Sequence, residues 1–236
     1  MVKSKFNVAL VISALLMTPT IANAHYLWFA QQTNAPPVLH FGEFNEGLIE
    51  RSPGRMDEMP SIQAFSGTRP LQVTKTADHF AFTPRAITLN TPLTAQELSY
   101  PIKDWRTNGI GIVKPMYYAR YAPQGTIATP TLALDIIPAS DGKSVKVYLA
   151  TTPLAGATVS FYAPNGWLQS GKTNAQGDFT ISMPWRGQYV TEVIHLEAKP
   201  GTFNGGAYEA IRHRATLSLY QARGPATFPI ANSHDH

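Results

Sequence analysis

From residue 25 onward the chain consists of short apolar runs, and none shows the sustained 3.6-residue periodicity of a long helix. The runs are rich in valine, isoleucine, threonine and aromatic residues, and glycine, proline, asparagine and aspartate separate them. This composition is typical of many short strands joined by turns. The sequence therefore predicts an all-β protein.

The alternation of side chains predicts which faces these strands present. At 25–29 the odd-numbered residues would share one face and the even-numbered residues the other. A second strand is predicted at 38–44, followed by a long polar loop at 45–61. One short helix is predicted at 94–98, because Pro101 would end it soon afterwards.

A change of composition suggests where the chain divides. Around 122–130 it becomes rich in proline, glutamine, glycine and threonine, which marks a domain boundary. We expect an N-terminal β-domain at 25–128 and a C-terminal β-domain at 129–222, each a sandwich. Residues 223–236 would form a flexible, histidine-containing tail.

Residues 1–24 have the features of an export signal. Two lysines precede an apolar run at 6–17, and Ala-Asn-Ala at 22–24 is the small-x-small pattern that signal peptidase accepts. The apolar run is too short to span a bilayer, although an uncleaved anchor is the alternative. We expect cleavage after residue 24, which would give a periplasmic protein whose first residue is His25.

The composition excludes several classes of function. The chain contains no cysteine, so a disulfide framework and thiolate chemistry are excluded, and a metal would need nitrogen, oxygen or methionine sulfur ligands. The net charge is +4, and it falls by two, to +2, once the two lysines of the signal are removed. Without a dense run of lysine and arginine, nothing predicts binding to nucleic acid or to a membrane surface.

Several segments together resemble one group of proteins. They are the Ala-His-Tyr-Leu-Trp start, the aromatic-Arg-Tyr segment and four C-terminal segments, at 24–28, 116–121, 134–138, 153–159, 173–179 and 215–217. They are similar to segments of an exported bacterial family of unknown function, some members of which are described as periplasmic components of nickel or cobalt uptake. The hairpin at 153–179 also resembles transthyretin-like and carboxypeptidase-regulatory-like sandwiches.

The resemblance has consequences for fold and function. It implies two β-sandwich domains of immunoglobulin-like or transthyretin-like type after a cleaved signal peptide. It also implies a periplasmic role that involves divalent transition metals.

His25 is the strongest candidate metal ligand. As the first residue of the mature chain it would offer both its α-amine and its ring, and an α-amine with a pKa of about 7.7–8 loses its proton to a metal near neutral pH. One further histidine would complete a T-shaped set of three nitrogens, which suits Cu(II) or Ni(II). The family resemblance adds Co(II), and the sequence does not distinguish Cu(II) from Ni(II) or Co(II).

Two other histidines are candidates for completing this set. His195 is predicted to share a strand face with Glu197, and the resembled family tends to have a histidine in this strand. His40 would lie beside His25 if the first two strands are neighbours, with Glu43 as a weaker oxygen donor.

The remaining histidines are weaker candidates. His213 lies in an apolar row, which is more typical of a hydrogen-bonded core histidine, and it is the last of the proposed ligands. His79 is expected to be structural or exposed. His234 and His236 lie in the terminal segment, where a mobile tail is the simpler interpretation.

Three functions remain open at this point. The first is a periplasmic protein that binds Cu(II) or Ni(II)/Co(II) for uptake, delivery or homeostasis, with a membrane metal transporter or an outer-membrane receptor as partner. The second is a copper-dependent oxidative enzyme of the histidine-brace type. The third is a metal-free adhesion or scaffold protein. No catalytic residue is predicted, because the serine-hydrolase, zinc-protease and phosphate-loop motifs are absent from the sequence.

Overall fold

A computed structural model describes residues 25–32, 35–83, 87–88, 90–123 and 125–228, and within these ranges the chain is all-β, as predicted. The predicted signal at 1–24 and the last part of the predicted tail, with His234 and His236, lie outside the described residues. None of the described helical segments has the length and apolarity needed to cross a membrane.

Short strands make up the first half of the chain. They are Tyr26–Gln32 (β1), Ala35–Glu43 (β2), Leu48–Ile49 (β3), Ile62–Ser66 (β4), Arg69–Lys75 (β5), Phe80–Thr83 (β6), Leu93–Glu97 (β7), Lys103–Trp105 (β8) and Gly111–Tyr121 (β9). Single 3-10 turns lie at Phe44–Glu46, Arg55–Glu58 and Arg106–Asn108. The predicted polar loop at 45–61 thus contains one short strand and most of two 3-10 turns.

Strands also form the second half. They are Leu134–Pro138 (β10), Ser144–Leu149 (β11), Thr152–Pro153 (β12), Thr158–Tyr162 (β13), Leu168–Lys172 (β14), Asp178–Thr180 (β15), Gly187–Glu197 (β16), Gly201–Phe203 (β17), Gly206–Tyr208 (β18) and Ala210–Gln221 (β19).

One large curled sheet runs through both halves. Its strand order is β1-β2-β6-β5-β4-β7-β9-β19-β16-β13-β14, with β3 beside β2 and β8 beside β9. The halves meet where β9 and β19 pair in parallel, from Val113 opposite Ala210 to Tyr121 opposite Ser218. A second sheet contains β10, β11, β12 and β15, and β17 and β18 form a separate hairpin.

Two apolar cores lie on opposite sides of this junction. The C-terminal core packs β10 and β11 against β16 and β19 through residues such as Ile136, Val147, Val193 and Leu217. The N-terminal core packs β1, β2, β6, β7 and β9 together through residues such as Leu27, Phe29, Phe41 and Tyr117.

Strand β19 separates these cores because its side chains alternate. His213, Ala215 and Leu217 face the C-terminal core. The intervening residues face the start of β1: the Thr216 hydroxyl donates to the Leu27 carbonyl at 2.6 Å. Strand β1 therefore lies across the even-numbered face of β19.

The structure confirms one local prediction and overturns another. In β1 the side chains of Leu27 and Phe29 enter the N-terminal core, while Tyr26 and Trp28 pack on the other side against Val190 of β16. The predicted helix at 94–98 is wrong, because this segment is strand β7, paired on one edge with β4 and on the other with β9. Pairing on both edges and burial on both faces override the local helical preference.

Candidate functional site

His25 is held at the start of β1 by contacts from both halves of the chain. Its carbonyl accepts a hydrogen bond from Arg214 Nη1 of β19 at 3.2 Å. Its ring lies 5.4 Å from the ring of Phe41, and the residue is only 8% exposed. The pairing of Tyr26 with Gly42 brings His25 alongside Glu43 at the end of β2.

Three charged side chains surround the His25 ring. Glu43 Oε1 lies 3.3 Å from Nδ1, and a Glu50 carboxylate oxygen contacts Nε2. The Arg55 guanidinium lies 3.3 Å from Nδ1 and 3.2 Å from Nε2 through its Nη1. Both ring nitrogens are therefore in contact with a carboxylate and with the same arginine.

The charges of this cluster do not balance when the imidazole is neutral. Burial, assisted by the positive charge of Arg55, lowers the pKa of His25 below its ordinary 6.5, although Glu50 and Glu43 oppose the shift. Glu50 shares Arg55 at 3.9 Å, whereas Glu43, only 5% exposed, pairs with no lysine or arginine among the described residues. Two carboxylates thus face one arginine, which leaves one excess negative charge.

The donor atoms around His25 are of types that bind transition metals, but they are not arranged as a complete metal site. Imidazole nitrogen and carboxylate oxygen are ligands that Cu(II), Ni(II), Co(II) and Zn(II) all accept. In the part of the chain that the structure describes, however, no group of three or more histidine, aspartate or glutamate side chains is placed to hold a metal ion. Any metal site at His25 therefore needs a further donor.

The structure does not bring His195 or His213 to His25. These two residues are direct cross-strand partners on β16 and β19, with ring centroids 6.3 Å apart. They lie on the face of β19 that packs on the C-terminal core, whereas His25 meets the opposite face through Arg214. The sheet itself thus separates them from His25.

His213 is a hydrogen-bonded core histidine, as its apolar row predicted. Its Nδ1 lies 3.0 Å from the Tyr118 hydroxyl and its Nε2 lies 3.0 Å from Glu197 Oε2. His195 and Glu197 share this face, as predicted from the alternation of β16. With both ring nitrogens engaged, His213 has no free lone pair for a metal in this arrangement.

His40 does not lie beside His25 either, although β1 and β2 are neighbours as expected. Its register partner is Trp28, which points away from the N-terminal core, and the two rings are 5.4 Å apart. His40 instead lies 6.1 Å from His79, between ring centroids. The two-residue period of β1 places His25 and His40 on opposite faces of the hairpin.

The sequence did not identify three of the residues that contact His25. Glu50 and Arg55 belong to the segment predicted only as a polar loop, and Arg214 precedes an apolar stretch of β19. For Glu50 and Arg55, the density of charged residues in that loop was the sequence feature that could have indicated a contact.

One cavity lies beside the His25 cluster and a larger one lies elsewhere in the protein. A groove of ≈ 370 Å³ beside the site is lined by Glu43, Tyr26, Tyr162, Glu192 and Arg214, among other residues. A larger one of ≈ 650 Å³, bordered by the turn at 139–144, has no histidine in its lining. Of these two cavities, the smaller groove shares a residue, Glu43, with the His25 cluster.

Comparison with known proteins adds no relative to this description. No protein-family model, no curated protein and no solved structure matches the chain.

Proposed function

We propose that this is an exported, periplasmic protein that binds a transition-metal ion at His25. The observation that carries the proposal is a buried imidazole with a carboxylate at each ring nitrogen, Glu43 at Nδ1 and Glu50 at Nε2. Burying a carboxylate without a counter-charge costs free energy, so a cation bound beside Glu43 would be stabilising. Cleavage after residue 24 would place the α-amine of His25 in the same region.

The proposed ligands are the α-amine and Nδ1 of His25 together with the Glu43 carboxylate, while Glu50 contacts the opposite ring nitrogen, Nε2, and would orient the ring. This set of nitrogen and oxygen donors suits Cu(II) or Ni(II)/Co(II), with Cu(II) bound most tightly on intrinsic preference. Arg55 would have to withdraw from the ring, which its 53% exposure permits. Uptake, delivery or homeostasis of the metal is the proposed role, with a membrane transporter or an outer-membrane receptor as partner.

The domain organisation belongs to the same proposal. We treat 25–128 and 129–222 as two β-sandwich domains of immunoglobulin-like or transthyretin-like type, preceded by a cleaved signal peptide. The two separate apolar cores support this division, while the continuous sheet through β9 and β19 makes the domains a joined pair.

A metal-free structural role is the second candidate. Arg55 already contacts both His25 nitrogens, so the cluster can also act as an ion-pair network that fastens β1 to the loop at 45–61. A histidine-brace oxidative enzyme is less favoured, because the described residues place no second imidazole beside His25.

Calorimetric titration of the processed protein with Cu(II), Ni(II) and Co(II) tests the proposal. At His25 we expect one tightly bound equivalent in the chain that begins at this residue, separate from any binding elsewhere in the protein. A chain that begins at an N-acetylated Ala24 should lose this equivalent because it has no free α-amine at this end and its histidine amine is an amide, and Glu43→Gln should weaken it. Glu46→Gln is the matched control, because Glu46 contacts Asn45 rather than His25.

The outcomes separate the two candidate functions. If the chains that begin at Ala24 and His25 bind metal identically, the amine chelate is refuted. If no metal binding depends on the start of the chain or on Glu43, and Glu43→Gln only lowers the melting temperature, the cluster is an ion-pair network with a structural role.

A further inference from the structure

Two imidazoles, those of His40 and His79, lie close together on the face of the β1–β2 hairpin opposite to His25. His40 is a buried residue of β2, and His79 immediately precedes β6, which pairs with β2 at Leu39 and Phe80. Their ring centroids are 6.1 Å apart, and the ring planes are inclined at 72°. The two rings are therefore neighbours across a strand pair.

The hydrogen bond of His40 fixes its tautomer. Nδ1 lies 2.9 Å from the main-chain carbonyl oxygen of Asp78. A carbonyl can only accept, so Nδ1 carries the proton and donates it. The lone pair of neutral His40 is therefore on Nε2.

His79 has the same tautomer for a similar reason. Its Nδ1 lies 2.7 Å from Asp78 Oδ1 and 3.0 Å from the Thr76 hydroxyl. The Thr76 hydroxyl donates to the His79 carbonyl, so both Thr76 and the Asp78 carboxylate accept from Nδ1, which carries the proton. Neutral His79 then also has its lone pair on Nε2. No hydrogen bond from the described residues engages Nε2 of either ring.

Hydrogen bonds of this kind orient histidines in known metal sites. A metal-binding histidine commonly donates its other ring nitrogen to a carboxylate or a main-chain carbonyl, which fixes both the tautomer and the ring. Here Asp78 supplies both partners: its carbonyl orients His40 and its carboxylate orients His79.

The separation of the rings is compatible with one shared ion. With a metal–nitrogen bond of about 2.0–2.1 Å, each ring centroid lies roughly 3.2 Å from the ion, so the two centroids can be at most about 6.4 Å apart. The observed 6.1 Å is inside this limit. A closer approach of about 1 Å would give a tetrahedral angle, and the His79 side chain, 29% exposed, has room to make it.

We propose that His40 and His79 bind one transition-metal ion, Zn(II) or Cu(II), through their Nε2 atoms. Asp78 is a positioning residue, and water completes the coordination of this two-ligand, open site. The site is separate from the His25 cluster, because the period of the hairpin places it on the opposite face.

The other neighbouring histidine pair provides an internal control. The rings of His195 and His213 are also close, at 6.3 Å. Both nitrogens of His213 are already hydrogen-bonded, to Tyr118 and to Glu197. Ring proximity is therefore common to both pairs, while the free Nε2 lone pairs are found at His40 and His79.

The test uses the chain that begins at an N-acetylated Ala24, in which no amine chelate can form at His25. We expect calorimetry to show one equivalent of Zn(II) or Cu(II), lost in His79→Gln and weakened about 10–100-fold in Asp78→Asn. His195→Gln should bind as the parent does. The melting temperature without metal shows whether each variant is folded.

A second measurement identifies the ligating atoms directly. Long-range ¹H–¹⁵N spectra of the histidine rings should show Zn(II) shifting Nε2 of His40 and His79 while Nδ1 keeps its proton. The proposal is overturned if folded His79→Gln binds as tightly as the parent chain, or if Zn(II) leaves both Nε2 signals unchanged. Either result leaves the His25 proposal standing, because that one is tested by comparing the two chain starts.

Discussion

Substituting Glu192 by alanine should destabilise the protein strongly, because it would leave the buried Arg214 without its counter-charge. Glu192 Oε1 accepts a hydrogen bond from Arg214 Nε at 2.5 Å, and both side chains are 5–6% exposed. Arg214 also donates to the His25 carbonyl, and its guanidinium lies 4.8 Å from the centre of the Tyr26 ring. The pair thus connects the C-terminal sheet to the start of β1.

The expected loss in the free energy of unfolding follows from the burial of Glu192 and Arg214. Removing one partner of a buried ion pair costs about 3–5 kcal/mol, since the remaining charge is left without compensation. For a chain of this size each kcal/mol lowers the melting temperature by about 2–4 °C, so a loss of roughly 6–20 °C is expected. Replacing both Glu192 and Arg214 by methionine should cost far less, about 1 kcal/mol for the lost bond to the His25 carbonyl.

Urea unfolding of the parent, Glu192→Ala and the double methionine variant measures these differences. Asp104→Ala is the control, because Asp104 pairs with Arg106 on the surface and its loss should leave the unfolding midpoint unchanged. The reasoning fails if Glu192→Ala costs less than about 1 kcal/mol. It also fails if the double variant is as unstable as the single one.

Two further predictions concern pH and the β2 backbone. Burial lowers the pKa of His213 below its ordinary 6.5, so the unfolded chain binds more protons below that pH. Stability should therefore fall from pH 7 to 5, with a shallower fall in His213→Gln, as read from urea midpoints. Gly42 has φ +147°, and a Cβ there would lie 2.2 Å from the Leu48 carbonyl oxygen. Gly42→Ala should lower the melting temperature well beyond Gly67→Ala, where φ is +60° but nothing lies within 4 Å; equal losses would contradict the steric argument.

The local sequence pattern was sufficient to predict the two faces of β1 and the environment of His213. The alternation at 25–29 correctly divided β1 between two environments, and the apolar row around His213 correctly indicated a core histidine. The same local reasoning failed at 94–98. A segment paired on both edges and buried on both faces loses the simple two-residue alternation that marks a half-buried strand.

The sequence by itself determined the all-β class, because short apolar runs between turn residues can be buried only by pairing as strands. It also singled out the histidines as the side chains with chemical content. Which histidines meet was decided by the tertiary structure alone. The parallel pairing of β9 with β19 and the two-residue period of β1 separate His25 from His40, His195 and His213, and they bring Glu43, Glu50 and Arg55 to it instead. Such pairings join residues far apart in the chain, and local periodicity carries no information about strand order or about which faces oppose one another.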